Sequence, residues 1–259
     1  MSSSCKPPRV AILDAGAQYS KIIDRRIREL QVESEILPLS TSIDGLHHFS
    51  GIIISGGPQS VYGAEAPKYD PRLFELDVPI LGICYGMQLL NHACHGRVER
   101  GGVREDGQFS ISLVANSSGH SESLLYAGLP SEIEVLLTHG DSVIEPAPGF
   151  IATSHSPHGI IASIEDPKRK YYGVQYHPEV DLTPEGQTIF LNFLEAVCRI
   201  SRTFTLRSRQ QSAIDEIRAA VGSTSQVLCL LSGGVDSSVC AALLKEAIGA
   251  ERVRIWKWD

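Results

Sequence analysis

The sequence predicts an α/β protein: a doubly wound, mostly parallel sheet, followed by a second, incomplete α/β unit. Three observations carry that prediction. Short apolar runs bounded by turn residues alternate with segments of helical periodicity, the pattern of buried parallel strands with helical crossovers. One such run, 78–83, passes through the turn Gly82-Ile83-Cys84-Tyr85-Gly86 into an apolar helical segment holding Met87, Leu89 and Leu90. After Ile200 the character changes, and a new strand, glycine-rich loop and helix begin.

Taken in order, the polar segment 1–8 is expected to be disordered, and the first unit to run over 9–200. Its first strand is Arg9-Val10-Ala11-Ile12-Leu13-Asp14, followed by a glycine-containing loop and a helix over about 20–30. Strands at 51–55 and 78–83 come next, then the helix after Cys84. A β-rich middle spans 107–114 and 133–138, with turns expected at Gly101-Gly102 and Ser117-Ser118-Gly119. Strands return at 150–153, 160–164 and 171–177, and a helix over 184–199 closes the unit. The second unit, 201–259, opens with a linker at 201–206. A helix follows with Ile214, Ile217 and Val221 on one face, then the strand Val227-Leu228-Cys229-Leu230-Leu231, then a helix over 239–248.

Composition narrows the class. A chain of 259 residues with 42% hydrophobic and 20% charged residues fits a soluble globular protein of one to one and a half domains. A net charge of −7 and a pI near 5.7 offer no electrostatic grip on nucleic acid. The cluster Asp24-Arg25-Arg26-Ile27-Arg28-Glu29 mixes signs on a helix and reads as a solvated face. No apolar run reaches membrane length, so no membrane partner is expected. The six cysteines, Cys5, Cys84, Cys94, Cys198, Cys229 and Cys240, show no spacing for zinc or a disulfide framework. His92 with His95, and His155 with His158, have ligand-like separations but no accompanying carboxylate or cysteine set, so no metal is expected. Scattered free thiols point to a reducing compartment, the cytosol.

The turn at Cys84 carries the chemistry. A cysteine between a buried strand and a helix, with glycines two residues to either side, has the form of a nucleophile elbow. The helix N-terminus behind it favours negative charge, the form in which sulfur attacks. A nucleophile needs a base, and the base needs an orienting acceptor. His177-Pro178-Glu179, at the end of the run 171–177, supplies both, giving a Cys84–His177–Glu179 triad recognised by role rather than order. The plain alternative is that Cys84 is a buried core thiol. The flanking glycines and the His-Pro-Glu set weigh against it.

With these residues the chain resembles the class I glutamine amidotransferases, whose flavodoxin-like doubly wound sheet it would share. A third matching segment is Ile54-Ser55-Gly56-Gly57-Pro58. By that resemblance the backbone N–H groups of Gly57 and Tyr85 would form the oxyanion hole, and Gln88 would contact the substrate glutamine. Gln88 could equally be a plain polar residue of the helix start.

In the second unit, Ser232-Gly233-Gly234-Val235-Asp236-Ser237-Ser238 follows a strand and opens a helix, an arrangement that gathers backbone N–H groups around phosphate. It lacks the lysine of a Walker-type loop. It is similar to the Ser-Gly-Gly-x-Asp-Ser loop of the ATP pyrophosphatase family, which implies that these seven residues bind ATP. Asp236 could instead cap its helix.

The order of the two motifs, with Asp14-Ala15-Gly16-Ala17-Gln18-Tyr19 and Thr138-His139-Gly140-Asp141-Ser142-Val143, resembles the glutamine-hydrolysing synthetases that make GMP. That resemblance implies glutamine hydrolysis at Cys84 and transfer of ammonia to xanthosine monophosphate activated by ATP with magnesium, with no cofactor in the glutaminase step. It also implies further strands and a dimerisation region after Asp259, which with most of the xanthosine monophosphate site are expected to be missing from this chain. A truncated product, a mispredicted gene and a splice form are all compatible with that ending. The expectation is a chain retaining at most glutaminase activity. Two alternatives stay open: a non-catalytic glutamine-sensing module, and another glutamine-dependent amidotransferase with the same loop.

Overall fold

A computed structural model describes residues 8–114 and 123–257. The expected N-terminal disorder, Cys5, the turn at Ser117-Ser118-Gly119 and the last two residues, Trp258 and Asp259, lie outside the described residues, Pro8 excepted. The chain divides into two compact units, Met1–Arg202 and Thr203–Asp259.

In the first unit the strands are β1 (Arg9–Asp14), β2 (Glu33–Pro38), β3 (Gly51–Ile54), β4 (Ile80–Ile83), β5 (Arg97–Leu113), β6 (Glu132–Glu145), β7 (Ile151–His155), β8 (Ile161–Asp166) and β9 (Tyr171–Val174). Among the described residues they form one sheet in the order β2-β1-β3-β4-β9-β8-β7-β5-β6. The run β2-β1-β3-β4-β9 is parallel, and β8, β7, β5 and β6 extend it antiparallel. The helices are α1 (Ser20–Glu29), α2 (Tyr85–Ala93) and α3 (Gly186–Asn192).

Strand periodicity explains the layers. Val10 and Ile12 of β1 enter a core with Ile23 and Ile27 of α1 and Ile189 and Phe190 of α3, whereas Ala11 and Leu13 enter the opposite core with Met87, Leu89 and Leu90 of α2. Both faces are covered, so the central strands are apolar throughout and carry no polar alternation. The carboxyl ends of β3, β4 and β9 fall side by side, which delivers Gly57, Cys84 and His177 to one edge.

The structure corrects several expectations. β2 was not anticipated; Glu33 and Glu35 are half-buried on one face, Ile36 and Pro38 are exposed on the other, and it sits at the sheet edge. Gly101-Gly102 is no turn: β5 runs through it and absorbs the irregularity as a register shift against β6 between Arg100 and Glu105. The strand at 171–177 ends at Val174. The helix expected over 184–199 is α3 continued by a π-helical turn, Phe193–Val197.

The second unit contains α4 (Leu206–Val221), β10 (Val227–Leu231), α5 (Val235–Ile248) and β11 (Val253–Lys257). Thr205 caps α4 by accepting the Ser208 N–H at 3.2 Å. α5 begins at Val235, four residues earlier than expected. Residues 253–257, unanticipated as a strand, pair parallel with β10. The small core holds Ile214, Ala247 and Ile248, with Ile217 and Val221 packed against them.

Candidate active site

Cys84 joins β4 to α2 with φ 51° and ψ −105°, a left-handed conformation that a side chain adopts only under constraint. The constraint comes from the glycines. A methyl group on Gly82 would lie 2.4 Å from the backbone C and O of Gly86, and one on Gly86 would lie 2.3 Å from the Ile54 oxygen. Backbone must therefore pass where any side chain would stand. The Cys84 N–H donates to the Val174 oxygen at 2.7 Å, and the Cys84 oxygen accepts from Gln88 N–H at 3.1 Å.

His177 follows β9. Its backbone N–H bonds the Leu136 oxygen at 3.0 Å, and Thr183 Oγ1 donates to its carbonyl at 2.7 Å. Nδ1 faces Glu179 Oε1 at 2.7 Å, which leaves Nε2 for the sulfur. Gly56 packs against both partners: a methyl group there would meet His177 Cε1 at 3.2 Å and Cys84 Cβ at 3.7 Å. Burial pulls the imidazole toward its neutral form, but hydrogen bonds to Cys84 and Glu179 and the charge on each outweigh it. The His177 pKa is raised from 6.5 to about 10. The arrangement is an imidazolium held between a carboxylate and a sulfur.

A cavity of about 600 Å³ opens beside the sulfur, lined by Gly57, Gln88, Arg100, Arg104, His139 and Asp141 among others. Gly57 cannot carry a side chain, since a methyl would fall 2.7 Å from the Ala15 oxygen and 3.3 Å from the Tyr85 ring. Tyr85 is the first residue of α2. Gln88 is buried, and its Nε2 donates to the Asp141 carbonyl at 2.8 Å and to Gln175 Oε1 at 3.1 Å.

Three residues escaped the sequence reading. Gln175, fully buried, directs Nε2 to Cys84 Sγ at 3.6 Å. Its one sequence signal is its place two residues before His177, just past the strand that leads to the base. Arg26, assigned to a solvated face, instead donates Nε to the Glu179 carbonyl at 2.9 Å and also pairs with Asp181. Glu105, fully buried, bridges His139 Nε2 at 3.0 Å and His158 Nδ1 at 2.8 Å, so His158 does have a carboxylate beside it. Among the described residues no group of three His, Cys, Asp or Glu could hold a metal ion, and no helix is long and apolar enough to cross a membrane.

The loop Ser232-Gly233-Gly234-Val235-Asp236-Ser237-Ser238 lies in the second unit and is exposed apart from a half-buried Ser237. Gly233 takes φ +81°, and a methyl there would meet nothing within 4 Å. Gly234 precedes the helix, its N–H reaching Ser232 Oγ at 3.4 Å, while Ser237 and Ser238 Oγ donate to its carbonyl at 3.1 and 2.9 Å. Asp236 is the second residue of α5 rather than its cap.

The family described as "Glutamine amidotransferase class-I" matches residues 11–197. The chain is 50% identical to the GMP synthase (glutamine-hydrolyzing) of Dictyostelium discoideum over 94% of this chain and 35% of that protein. It is 41% identical to the enzyme of that name from Heliobacterium modesticaldum, over 93% of this chain and 46% of that protein. The chain thus spans about a third to a half of these curated relatives. Among solved structures, a Thermoplasma acidophilum protein provisionally described as part of a GMP synthase superposes with a TM-score of 0.66 at 27% identity, covering 79% of this chain and 98% of that one.

Proposed function

Because this chain belongs to the class I glutamine amidotransferases, we propose that Cys84, His177 and Glu179 hydrolyse the side-chain amide of glutamine, and that the whole protein uses the ammonia to make GMP. The single observation that carries the glutaminase reading is the imidazole of His177, bonded to Glu179 on one side and to Cys84 on the other.

The thiolate of Cys84 attacks the amide carbon, and charge moves onto the amide oxygen. The backbone N–H groups of Gly57 and Tyr85 receive that charge, being fixed in advance and needing no reorganisation. His177 gives its proton to the departing nitrogen, the C–N bond breaks, and ammonia leaves a γ-glutamyl thioester. His177, now neutral, takes a proton from water; hydroxide adds to the thioester carbon, the S–C bond breaks and glutamate leaves. Glu179 holds Nδ1 throughout and stabilises the cation. Gln88 and Asp141 suit the ammonium end of a bound amino acid, and Arg100 and Arg104 its carboxylate.

In the second unit, the 232–238 loop offers hydroxyls, unsubstituted glycine backbone and a helix start, a neutral donor set that fits ATP phosphates. ATP supplies the adenylation that activates xanthosine monophosphate toward ammonia. The loop offers magnesium a single carboxylate, Asp236, so the rest of its shell would come from phosphate oxygens and water. Ammonia released into water is largely protonated and no longer nucleophilic, which favours direct delivery. The free thiols of Cys84, Cys94, Cys198, Cys229 and Cys240 suit the cytosol.

The test is glutamate release from glutamine by the purified chain and by Cys84→Ser. The parent is expected to turn over and the variant to be silent; equal rates would remove Cys84 as nucleophile. Glutamine binding without turnover, and without labelling of Cys84 by an electrophilic glutamine analogue, would favour a sensing module. Adding xanthosine monophosphate and magnesium–ATP to the full-length protein and assaying GMP tests the amination.

A further inference from the structure

We propose that Gln175 is a further catalytic residue of this site, its side-chain amide donating a hydrogen bond to the Cys84 sulfur whenever that sulfur is anionic. The inference rests on the reading of Cys84 as nucleophile.

Local geometry places it there. The chain bends at Gln175 and Tyr176, just past β9, and both Gln175 and His177 reach Cys84 while Tyr176 bonds Tyr126 through their hydroxyls at 2.9 Å. The backbone of Gln175 is pinned by its N–H to the Ala162 oxygen at 2.8 Å, and that of Cys84 by its N–H to the Val174 oxygen at 2.7 Å. Both ends of the contact are therefore fixed before substrate arrives. The amide nitrogen stands 3.6 Å from Sγ, within reach for a sulfur acceptor.

The orientation of the amide follows from its neighbours. Gln88 directs one side-chain nitrogen at the Asp141 carbonyl, which can only accept. That nitrogen therefore carries hydrogens at the junction, and Gln175 must present its oxygen to it, at 3.1 Å. The NH₂ of Gln175 is left pointing at sulfur. Gln175 is fully buried, so this donor has no water to turn to.

Such a donor acts at two points. Before attack it stabilises the thiolate alongside His177, by a charge-assisted bond stronger than a neutral one. In the thioester the sulfur is uncharged and the bond weakens. When hydrolysis breaks the S–C bond, the electron pair returns to sulfur, and the waiting N–H receives the charge. The charged groups facing this sulfur are His177 with Glu179 behind it, and Arg100, Arg104 and Asp141 across the cavity. None is altered by a change at position 175.

Two variants test it. Gln175→Glu keeps length and the acceptor toward Gln88 but loses the donor and adds a negative charge beside the sulfur; Gln175→Met keeps volume, loses both polar contacts and adds no charge. Each is expected to lower glutaminase kcat by roughly 10- to 100-fold, the loss of one charge-assisted hydrogen bond. KM should change by less than about threefold, since the contact is not with substrate. The pH–rate profile for iodoacetamide alkylation of Cys84, followed by peptide mass mapping, should move to higher pH by about one unit. A residue that merely filled space would leave that profile in place in Gln175→Met, which adds no charge. Parent-like kcat and an unmoved profile in either folded variant overturn the role of Gln175 alone. A parent chain that neither turns over glutamine nor is alkylated at Cys84 overturns the nucleophile assignment, and this role with it.

Discussion

His177 Nδ1 and Glu179 Oε1 stand 2.7 Å apart with both side chains buried, although one proline separates them in sequence. Pro178 fixes its own φ, so the two side chains are brought together by backbone geometry rather than by a long loop. Glu179→Gln preserves the shape and removes the charge that stabilises imidazolium. It is expected to lower glutaminase kcat by at least about 100-fold with little change in KM, as loss of a triad carboxylate does. Glutamate release under saturating glutamine measures it, and a loss of under tenfold would remove Glu179 from the mechanism.

The raised pKa of His177 makes a second prediction, in stability. The bonds and charges of Cys84 and Glu179 favour the protonated ring in the folded state, moving it from 6.5 to about 10. The stabilisation is fully present below 6.5, shrinks above that and is lost as pH rises through about 10. Thermal melts of the chain and of Glu179→Gln should therefore differ most near pH 6 and converge by about pH 10. A gap that stays constant across that range would refute the pairing.

The elbow predicts a steric asymmetry among glycines. Gly86→Ala forces a methyl to 2.3 Å from the Ile54 carbonyl oxygen, and backbone cannot rotate away as a side chain can. A loss of about 1–3 kcal/mol or more is expected in urea unfolding, with abolished turnover. Gly140→Ala, whose methyl would meet nothing within 4 Å, should change stability by less than about 0.5 kcal/mol although its residue also lines the cavity. Equal losses would mean that the elbow is not tightly packed.

The parts legible in the sequence are those with local causes. The Gly-x-Cys-x-Gly turn, the His-Pro-Glu segment and the apolar runs of β1, β3 and β4 each show their chemistry within a few residues. What escaped is decided by distant partners. Arg26 reads as a surface charge until Glu179, 153 positions away, is placed beside it, and Glu105 is one of many β-strand carboxylates until His139 folds against it. Gly101-Gly102 reads as a turn because glycine pairs usually mark one; here strand pairing overrides the local preference, and a bulge absorbs the irregularity. β2 was hidden by its half-polar composition, which an edge position permits.

Glu105 supports the last prediction. Its carboxylate is buried with one oxygen on His139 and the other on His158, and the two histidines differ in surroundings: 2% of the His139 side chain is exposed against 42% of that of His158. His139 Nδ1 also lies 3.0 Å from the Asp141 carbonyl, the same oxygen that accepts from Gln88. A carbonyl only accepts, so Nδ1 carries hydrogen and Nε2 faces the Glu105 carboxyl. Glu105→Ala leaves the buried Nε2 of His139 without its partner, at a cost of about 1–3 kcal/mol in urea unfolding. His158→Ala leaves Glu105 bonded to His139 and removes only a half-exposed partner, for less than about 1 kcal/mol. Because Glu105 closes the irregular stretch that carries Arg100 and Arg104 over the cavity, Glu105→Ala should also raise the KM for glutamine more than it lowers kcat. Equal destabilisation by the two variants would show that the carboxylate is held by its exposed partner as firmly as by its buried one.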